Sequence, residues 1–303
     1  MPEAGSRFPP SKAGQYIALS SDDCNLTTRI GVGTDGKGLY GPDLDESGAQ
    51  RKGTVTHAYS IASAPWEQET HGYLEFYITL ESLRDGSYGR LSSAFVKLDP
   101  ANDRHRTLGY IDRIVGTFTL EDRTGGYDNV LMVGTGSGLA PFAAMTKQLH
   151  HDATTGHGDG RRYTLLHTNR TYAELGYHKT LQEIERSGTF DFVYIPTVSR
   201  PTDRDRSDPT LGIGRANNIL RALFGLSTKE EEVLEAAGRL PTTTGTGPQP
   251  YRPELPAHVS TQGLAARIAP DTTKILACGN PAGLSDMGQT AERCGVAFEQ
   301  EAW

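Results

Sequence analysis

The sequence predicts two domains, a β-rich first half followed by an α/β half built on a parallel sheet. Residues 73–80 alternate apolar and polar positions and are rich in aromatic and β-branched side chains, which is typical of a strand. Residues 116–120 show the same pattern more briefly. Beyond residue 123, short apolar runs alternate with helical patterns, and this alternation predicts a parallel sheet whose ligands bind at the carboxyl ends of its strands.

Each apolar run of the second half is followed by a predicted helix. The pairs are 130–133 with a helix from 141, 163–167 with 172–186, 192–197 with 216–224, and 274–278 with 282–293. We therefore place the domains at 1–123 and 124–303. Two segments look inserted. Residues 24–56 are polar and glycine-rich, and 228–262 begin as a helix and become a Pro/Gly/Thr loop.

Composition excludes several classes of protein. The chain has 303 residues and a net charge of −7, from 30 basic and 37 acidic residues, so no nucleic-acid surface is expected. Three cysteines are too few for a disulfide framework or an iron–sulfur cluster, and no metal site is predicted. No apolar run approaches the ~20 residues that cross a bilayer, and no secretory signal is visible, so a cytoplasmic location is expected.

The loop after the first apolar run of the second half carries the clearest chemical signal. Its residues are Gly134, Thr135, Gly136, Ser137 and Gly138. A strand that turns on glycine into a helix leaves free backbone N–H groups, which attract phosphate. Leu139 or Pro141 replaces the third glycine of the G-x-G-x-x-G fingerprint, so a tight strand-to-helix turn without a ligand is the alternative.

A second motif, His57-Ala58-Tyr59-Ser60, lies near the end of the β-rich half. With the glycine loop and the motifs below, it resembles the ferredoxin–NADP+ reductase family, particularly its bacterial branch. The resemblance implies an antiparallel β-barrel that binds FAD, followed by an NADP-binding α/β domain. It implies that Tyr59 packs on the flavin ring and that the Ser60 hydroxyl approaches the flavin N5. Taken alone, the motif also suits a half-buried strand with a core tyrosine.

Position 57 departs from the family pattern, which has an arginine that pairs with the FAD pyrophosphate. A neutral imidazole is a weaker phosphate partner than a bidentate guanidinium. Arg90 or Arg51 would have to compensate.

Other FAD contacts are implied by resemblance alone. Gly89-Arg90-Leu91-Ser92 matches the element that clasps the flavin pyrophosphate at a helix start. Thr119 follows the last predicted barrel strand, and Trp303 stands where the family has a ring over the flavin.

Polar residues at the ends of two predicted strands bear on the choice of dinucleotide. Asn169 and Arg170 follow the second strand of the α/β half, and Ser199 and Arg200 follow the third. A 2′-phosphate needs cationic and hydroxyl donors, whereas NAD-specific sites favour a carboxylate, so NADP(H) is predicted. Each arginine could instead be a solvated surface charge.

Cys278-Gly279-Asn280 matches the family signature that lies beside the nicotinamide ring. A small, polarisable thiol lets the ring approach the flavin closely. A packed core thiol is the alternative. Near the end of the chain, Glu301 is a candidate proton relay.

The predicted function is flavin-dependent electron transfer between NADP(H) and a small one-electron carrier such as ferredoxin or flavodoxin. The predicted catalytic residues are Ser60, Cys278 and Glu301. Alternatives are a reductase component that serves an oxygenase or another acceptor, and a degenerate nucleotide sensor with weak FAD binding. A monomer or weak oligomer is expected.

Overall fold

Strands and helices alternate along most of the chain. The computed structural model describes residues 7–33, 36, 38–80, 88–99, 101, 107–238 and 252–302. The strands are β1 Tyr16–Asn25, β2 Thr27–Val32, β3 Gly38–Pro42, β4 Lys52–Ser60, β5 Gly109–Tyr110, β6 Asn129–Thr135, β7 Arg162–Asn169, β8 Phe192–Val198, β9 Gly212–Ile213, β10 Thr273–Gly279 and β11 Ala297–Ala302. The helices are α1 Pro65–His71, α2 Arg90–Val96, α3 Leu120–Arg123, α4 Ala140–Thr154, α5 His178–Ser187, α6 Asp203–Ser207, α7 Ala216–Leu223, α8 Lys229–Ala236, α9 Thr261–Ala265 and α10 Pro281–Arg293.

These elements form two compact units. The first consists of Met1–Gln15, Ile61–Tyr77 and Gly116–Trp303, and the second of Tyr16–Ser60 and Ile78–Val115. Among the described residues, no helix has both the length and the hydropathy that crossing a membrane would require.

The first unit contains a six-stranded sheet in the order β11-β10-β6-β7-β8-β9, with every neighbouring pair parallel. Successive side chains of a strand point to opposite faces. Leu131 and Val133 therefore pack on one face with residues of α7 and α10, whereas Val130 and Met132 pack on the other with residues of α4 and α5. Both faces of the sheet are therefore buried. The continuous apolar runs in the sequence predicted this, because the strands of a parallel sheet are covered on both sides.

The helices predicted after these strands are confirmed as α4, α5, α7 and α10, and the helix at the start of 228–262 as α8. The predicted helix over 172–186 is divided. A 3-10 turn occupies Tyr172–Glu174, and α5 begins only at His178.

The second unit contains an antiparallel sheet in the order β4-β1-β5 and a separate hairpin of β2 and β3. Segment 24–56, which the sequence presents as polar and without periodicity, forms this hairpin and the start of β4. A register shift between Arg29 and Gly31 interrupts the alternation there. The hairpin leaves Ile30 and Tyr40 largely exposed.

Two predicted strands are wrong. Within 73–80, only Phe76 pairs, in a single bridge with Ile61. Residues 116–119 lie outside the strands, because Gly116 takes a φ of 113° and turns the chain away from the pairing that ends at Val115. Both segments have the alternating pattern of a strand, but neither joins one of the sheets of the described chain.

A buried polar group lies within the first unit. Nδ1 of His167, on β7, lies 3.0 Å from the Tyr194 hydroxyl, which also lies 3.2 Å from Nδ1 of His178. No described residue offers a hydrogen-bond partner to Nε2 of His167. Burial lowers the pKa of His167 to about 3, so the folded protein keeps this ring neutral.

This burial predicts a loss of stability in acid. The unfolded chain protonates His167 near its ordinary pKa of about 6.5, whereas the folded chain does so only near 3, so lowering the pH from 7 to 5 favours unfolding. We expect the melting temperature of His167→Phe to fall less over this interval than that of the wild type. Thermal unfolding at both pH values measures this, with exposed His157→Phe as the control. Equal falls in wild type and His167→Phe would contradict it.

Candidate functional site

The glycine-rich loop has the predicted strand-to-helix geometry. β6 ends at Thr135, Gly136–Leu139 forms a 3-10 turn, and α4 follows with Pro141 in its first turn. Gly136 has a φ of 56°, which favours glycine. Because backbone N–H groups at a helix start have no partner within the helix, this loop suits an anionic ligand.

The loop packs directly against the end of β10. A Cβ atom at Gly138 would lie 2.7 Å from the Cα atom of Gly279, and one at Gly279 would overlap the Thr135 side chain. The Asn280 backbone N–H donates to the Thr135 hydroxyl at 3.3 Å. The side-chain oxygen of Asn280 accepts from the N–H of Ala282 at 3.0 Å and so caps α10.

Cys278 and Glu301 are neighbours in the sheet. In the parallel register, Cys278 lies opposite Gly134 of the loop on one side and opposite Glu301 of β11 on the other. Cys278 is fully buried. Oε2 of Glu301 is buried and has no hydrogen-bond partner within the described part of the chain. Burial raises the pKa of this carboxyl to about 7, with Arg123 opposing the shift. A carboxyl that titrates near neutral pH can give or take a proton.

The polar ends of β7 and β8 also come together. The Ser199 N–H donates to the Asn169 carbonyl at 2.9 Å, and the Arg200 N–H to the Arg170 carbonyl at 2.8 Å. The four predicted dinucleotide residues thus share one edge of the sheet. The Arg200 side chain is exposed. Nε of Arg170 donates to Glu174 at 2.8 Å, and this pair holds the pKa of Arg170 above its usual value.

In the second unit, the His57–Ser60 motif forms the end of β4 and pairs with β1. Tyr59 packs against Phe95 of α2, with ring centroids 5.2 Å apart. The Ser60 hydroxyl is buried and finds no hydrogen-bond partner among the residues that the structure describes. A buried hydroxyl without a partner costs ~1–3 kcal/mol, so a ligand that offers one is favoured here. Because Tyr59 and Ser60 are successive residues of β4, their side chains point to opposite faces of the strand.

His57 is exposed on β4, on the same side of the strand as Val55 and Tyr59. Of the two arginines that could compensate for it, Arg51 lies 3.8 Å from Asp43 in an ion pair. Arg90 is the first residue of α2 and is only partly buried.

The Gly89–Ser92 motif begins a helix, as predicted. Gly89 is the N-cap of α2, Leu91 is buried with Val55 and Cys24, and the Ser92 hydroxyl donates to the Gly89 carbonyl at 3.3 Å.

The two remaining residues predicted to contact FAD are Thr119 and Trp303. The Thr119 hydroxyl donates to the Asp122 carboxylate at 2.8 Å and accepts from the Asp122 N–H at 3.1 Å, so it caps α3. Trp303 lies outside the described residues.

Two residues near the dinucleotide edge were missed at the level of sequence. Glu174 contacts Arg170 four residues earlier, a spacing that local charge patterning could have found. Tyr77 donates to the Glu174 carbonyl at 2.6 Å across 97 positions, a separation at which the sequence offers no signal.

Residues 132–240 match the family model of the oxidoreductase NAD-binding domain. This range includes the whole glycine loop and the polar ends of β7 and β8. A search of curated protein sequences found no match to this chain.

Three solved structures share the fold. A ferredoxin–NADP+ reductase from Neisseria gonorrhoeae, solved with bound FAD and NADP, is 20% identical, with 100% of this chain and 89% of that chain covered and a TM-score of 0.56. The cytochrome b5 reductase domain of Ulva prolifera nitrate reductase is 16% identical, with 99% and 88% covered and a TM-score of 0.53. The FAD/NAD-binding domain of Vibrio cholerae nitric oxide dioxygenase is 13% identical, with 100% and 89% covered and a TM-score of 0.52.

These matches can be compared with the family resemblance that the sequence motifs suggested. The fold, an antiparallel N-terminal part followed by a parallel α/β part, is the one predicted. The chain has the two-domain fold of the ferredoxin–NADP+ reductases, and residues 132–240 match the model of an oxidoreductase NAD-binding domain, which confirms that resemblance.

Proposed function

We propose that this protein is a flavin-dependent oxidoreductase that binds FAD and NADP(H) and exchanges electrons with a separate one-electron carrier such as ferredoxin or flavodoxin. One observation carries the proposal. The glycine loop, the Cys278–Glu301 pair and the cationic ends of β7 and β8 all lie on the carboxyl edge of one parallel sheet, and residues 132–240 of that unit match the model of an oxidoreductase NAD-binding domain. In parallel α/β sheets, that edge is where nucleotides bind.

The residues of the chain have separate roles in this proposal. The N–H groups of the glycine loop would hold the dinucleotide pyrophosphate, and Arg170, Ser199 and Arg200 the 2′-phosphate. Tyr59 would form a wall for the flavin, and Ser60 would supply a hydrogen bond to it. Bound FAD supplies the step between two-electron nicotinamide chemistry and one-electron carriers.

The electron acceptor is the open part of the proposal. A reductase component that serves an oxygenase would use the same two sites with a different partner protein. The cytoplasmic location and the monomeric or weakly oligomeric state stay predictions.

Purified protein tests the proposal directly. After reconstitution with FAD, we expect a flavin absorbance band at about 450 nm that bleaches when NADPH is added without oxygen. Turnover with ferredoxin, flavodoxin and quinone then ranks the acceptors. A protein that remains colourless with excess FAD would instead favour the nucleotide-sensor alternative.

Replacement of Ser60 tests the flavin site. We expect Ser60→Ala to keep FAD but to slow flavin reduction by NADPH about tenfold, because it removes one hydrogen bond at the reacting edge. Stopped-flow bleaching measures the rate. Ser20→Ala, on the neighbouring strand β1, is the matched control. An unchanged rate in Ser60→Ala would remove Ser60 from the site.

Glu301 predicts a pH dependence. Its carboxyl has a pKa of about 7, so it is mainly protonated below pH 7 and able to supply a proton there, and mainly ionised above it. We expect turnover to fall as the pH rises through 7 in the wild type. Glu301→Gln should be slower and flat between pH 6 and 8. Glu292→Gln, at an exposed position of α10, is the control, and a wild-type profile in Glu301→Gln would exclude the relay.

The arginines at the ends of β7 and β8 predict the dinucleotide preference. We expect Arg170→Gln and Arg200→Gln each to raise the KM for NADPH by about tenfold or more, because a charge-assisted hydrogen bond contributes ~1.5–3 kcal/mol. The KM for NADH should change little, since NADH lacks the 2′-phosphate. Steady-state kinetics with both dinucleotides measures this, with exposed Arg186→Gln as the control. Equal effects on NADPH and NADH would contradict it.

A further inference from the structure

Tyr77 contacts the dinucleotide edge although no motif includes it. Its hydroxyl donates to the Glu174 carbonyl at 2.6 Å and accepts from Nδ2 of Asn169 at 3.1 Å. The backbone N–H of Gly176 also donates to it, at 3.4 Å. One hydroxyl therefore joins three residues of the turn between β7 and α5, which we call the 169–176 turn.

Two residues of the 169–176 turn accept hydrogen bonds from Arg170, one from its backbone and one from its side chain. Oδ1 of Asn169 accepts from the Arg170 backbone N–H at 3.0 Å, and the Glu174 carboxylate accepts from Nε of Arg170 at 2.8 Å. Nδ2 of Asn169 also donates to the Glu174 carbonyl at 2.5 Å, which closes the network. Both residues that fix Arg170 are thus bonded to the hydroxyl of Tyr77.

The aromatic ring of Tyr77 is fitted to this turn. A Cβ atom at Gly176 would lie 2.7 Å from the ring, so only glycine permits the contact. The Tyr177 ring meets it edge-on, with centroids 5.9 Å apart. Tyr177 has a φ of 56°, the one positive φ among the described non-glycine residues, and such a conformation persists only when its surroundings enforce it.

The chain before Tyr77 is itself anchored. Nζ of Lys147, buried on α4, lies 2.5 Å from the Glu67 carboxylate and 3.3 Å from that of Glu75. It also lies 5.3 Å from the centre of the Tyr177 ring. Tyr77 therefore presents its hydroxyl from a fixed segment.

We propose that Tyr77 is a positioning residue for dinucleotide preference, which rests on the proposed NADP(H) site. Through Asn169 and Glu174 it holds Arg170 in place before the ligand arrives. Because Nε of Arg170 is used by Glu174, the terminal guanidinium nitrogens remain for the 2′-phosphate. An arginine that is already ordered loses less side-chain entropy on binding. A ligand without the 2′-phosphate gains nothing from this arrangement.

Binding of nucleotide fragments tests the proposal without turnover. We expect Tyr77→Phe to bind 2′,5′-ADP about fivefold more weakly than the wild type by calorimetry, since one hydroxyl and its hydrogen bonds are lost. Binding of 5′-AMP should be unchanged. Tyr73→Phe, in the same segment, is the matched control. Melting temperatures of all variants, measured in parallel, establish that each is folded.

The double variant Tyr77→Phe/Arg170→Gln separates positioning from general loosening. If Tyr77 acts through Arg170, the double variant should bind 2′,5′-ADP as weakly as Arg170→Gln alone. Additive losses, equal losses for 5′-AMP, or wild-type binding by Tyr77→Phe would each overturn the inference.

The same measurements distinguish failure of the proposed NADP(H) site from failure of the inference about Tyr77. A wild type that does not prefer 2′,5′-ADP to 5′-AMP would overturn the NADP(H) site, and this inference with it. A wild type with that preference and a bleaching flavin, together with an unaffected Tyr77→Phe, would overturn this inference alone.

Discussion

The nucleotide edge depends on the close approach of two backbone segments. The glycine loop after β6 contacts the end of β10 at a distance that no side chain at Gly138 or Gly279 would permit. This contact fixes where the loop N–H groups point and holds the Cys278 backbone against them. Main chain forms most of this contact, and the Thr135 hydroxyl completes it by accepting from the Asn280 N–H.

Six buried side-chain atoms lack a hydrogen-bond partner among the described residues, and two of them are oxygen atoms of predicted catalytic residues. The Ser60 hydroxyl and Oε2 of Glu301 are both buried and lack hydrogen-bond partners within the described residues. Each costs folding free energy, because desolvation of a polar atom is not offset by a new bond. They occur in different units, one on β4 and one on β11. Ser60 belongs to the His57–Ser60 motif, whereas Glu301 was predicted only as a proton relay. Since most buried polar atoms in folded proteins are paired, each of these two calls for an explanation, and an absent ligand is one.

The features that the sequence predicted correctly are those that residues close together in the chain determine. Gly134–Gly138 and Pro141 predicted the strand, turn and helix around the loop, since each of these residues restricts or frees the backbone where it stands. Apolar runs followed by helical periodicity likewise predicted the parallel sheet.

Pairing between distant parts of the chain could not be predicted in this way. Residues 73–80 have a strand's pattern, yet their environment is set by 61–64 and by the turn around Asn169, and only one bridge forms. The raised pKa of Glu301 also has no sequence signal, because it results from burial between elements far apart in the chain.

The path of the chain has a consequence for how the protein can be divided. Residues 61–77 belong to the same compact unit as the parallel sheet, although they lie more than forty positions before its first strand. A shorter chain without them would leave the ammonium group of Lys147 inside the protein with neither Glu67 nor Glu75 as counter-ion. An isolated buried charge is strongly destabilising. We therefore expect a fragment that begins after residue 77 to be less stable than the full chain, because Lys147 would lack both of its carboxylate partners.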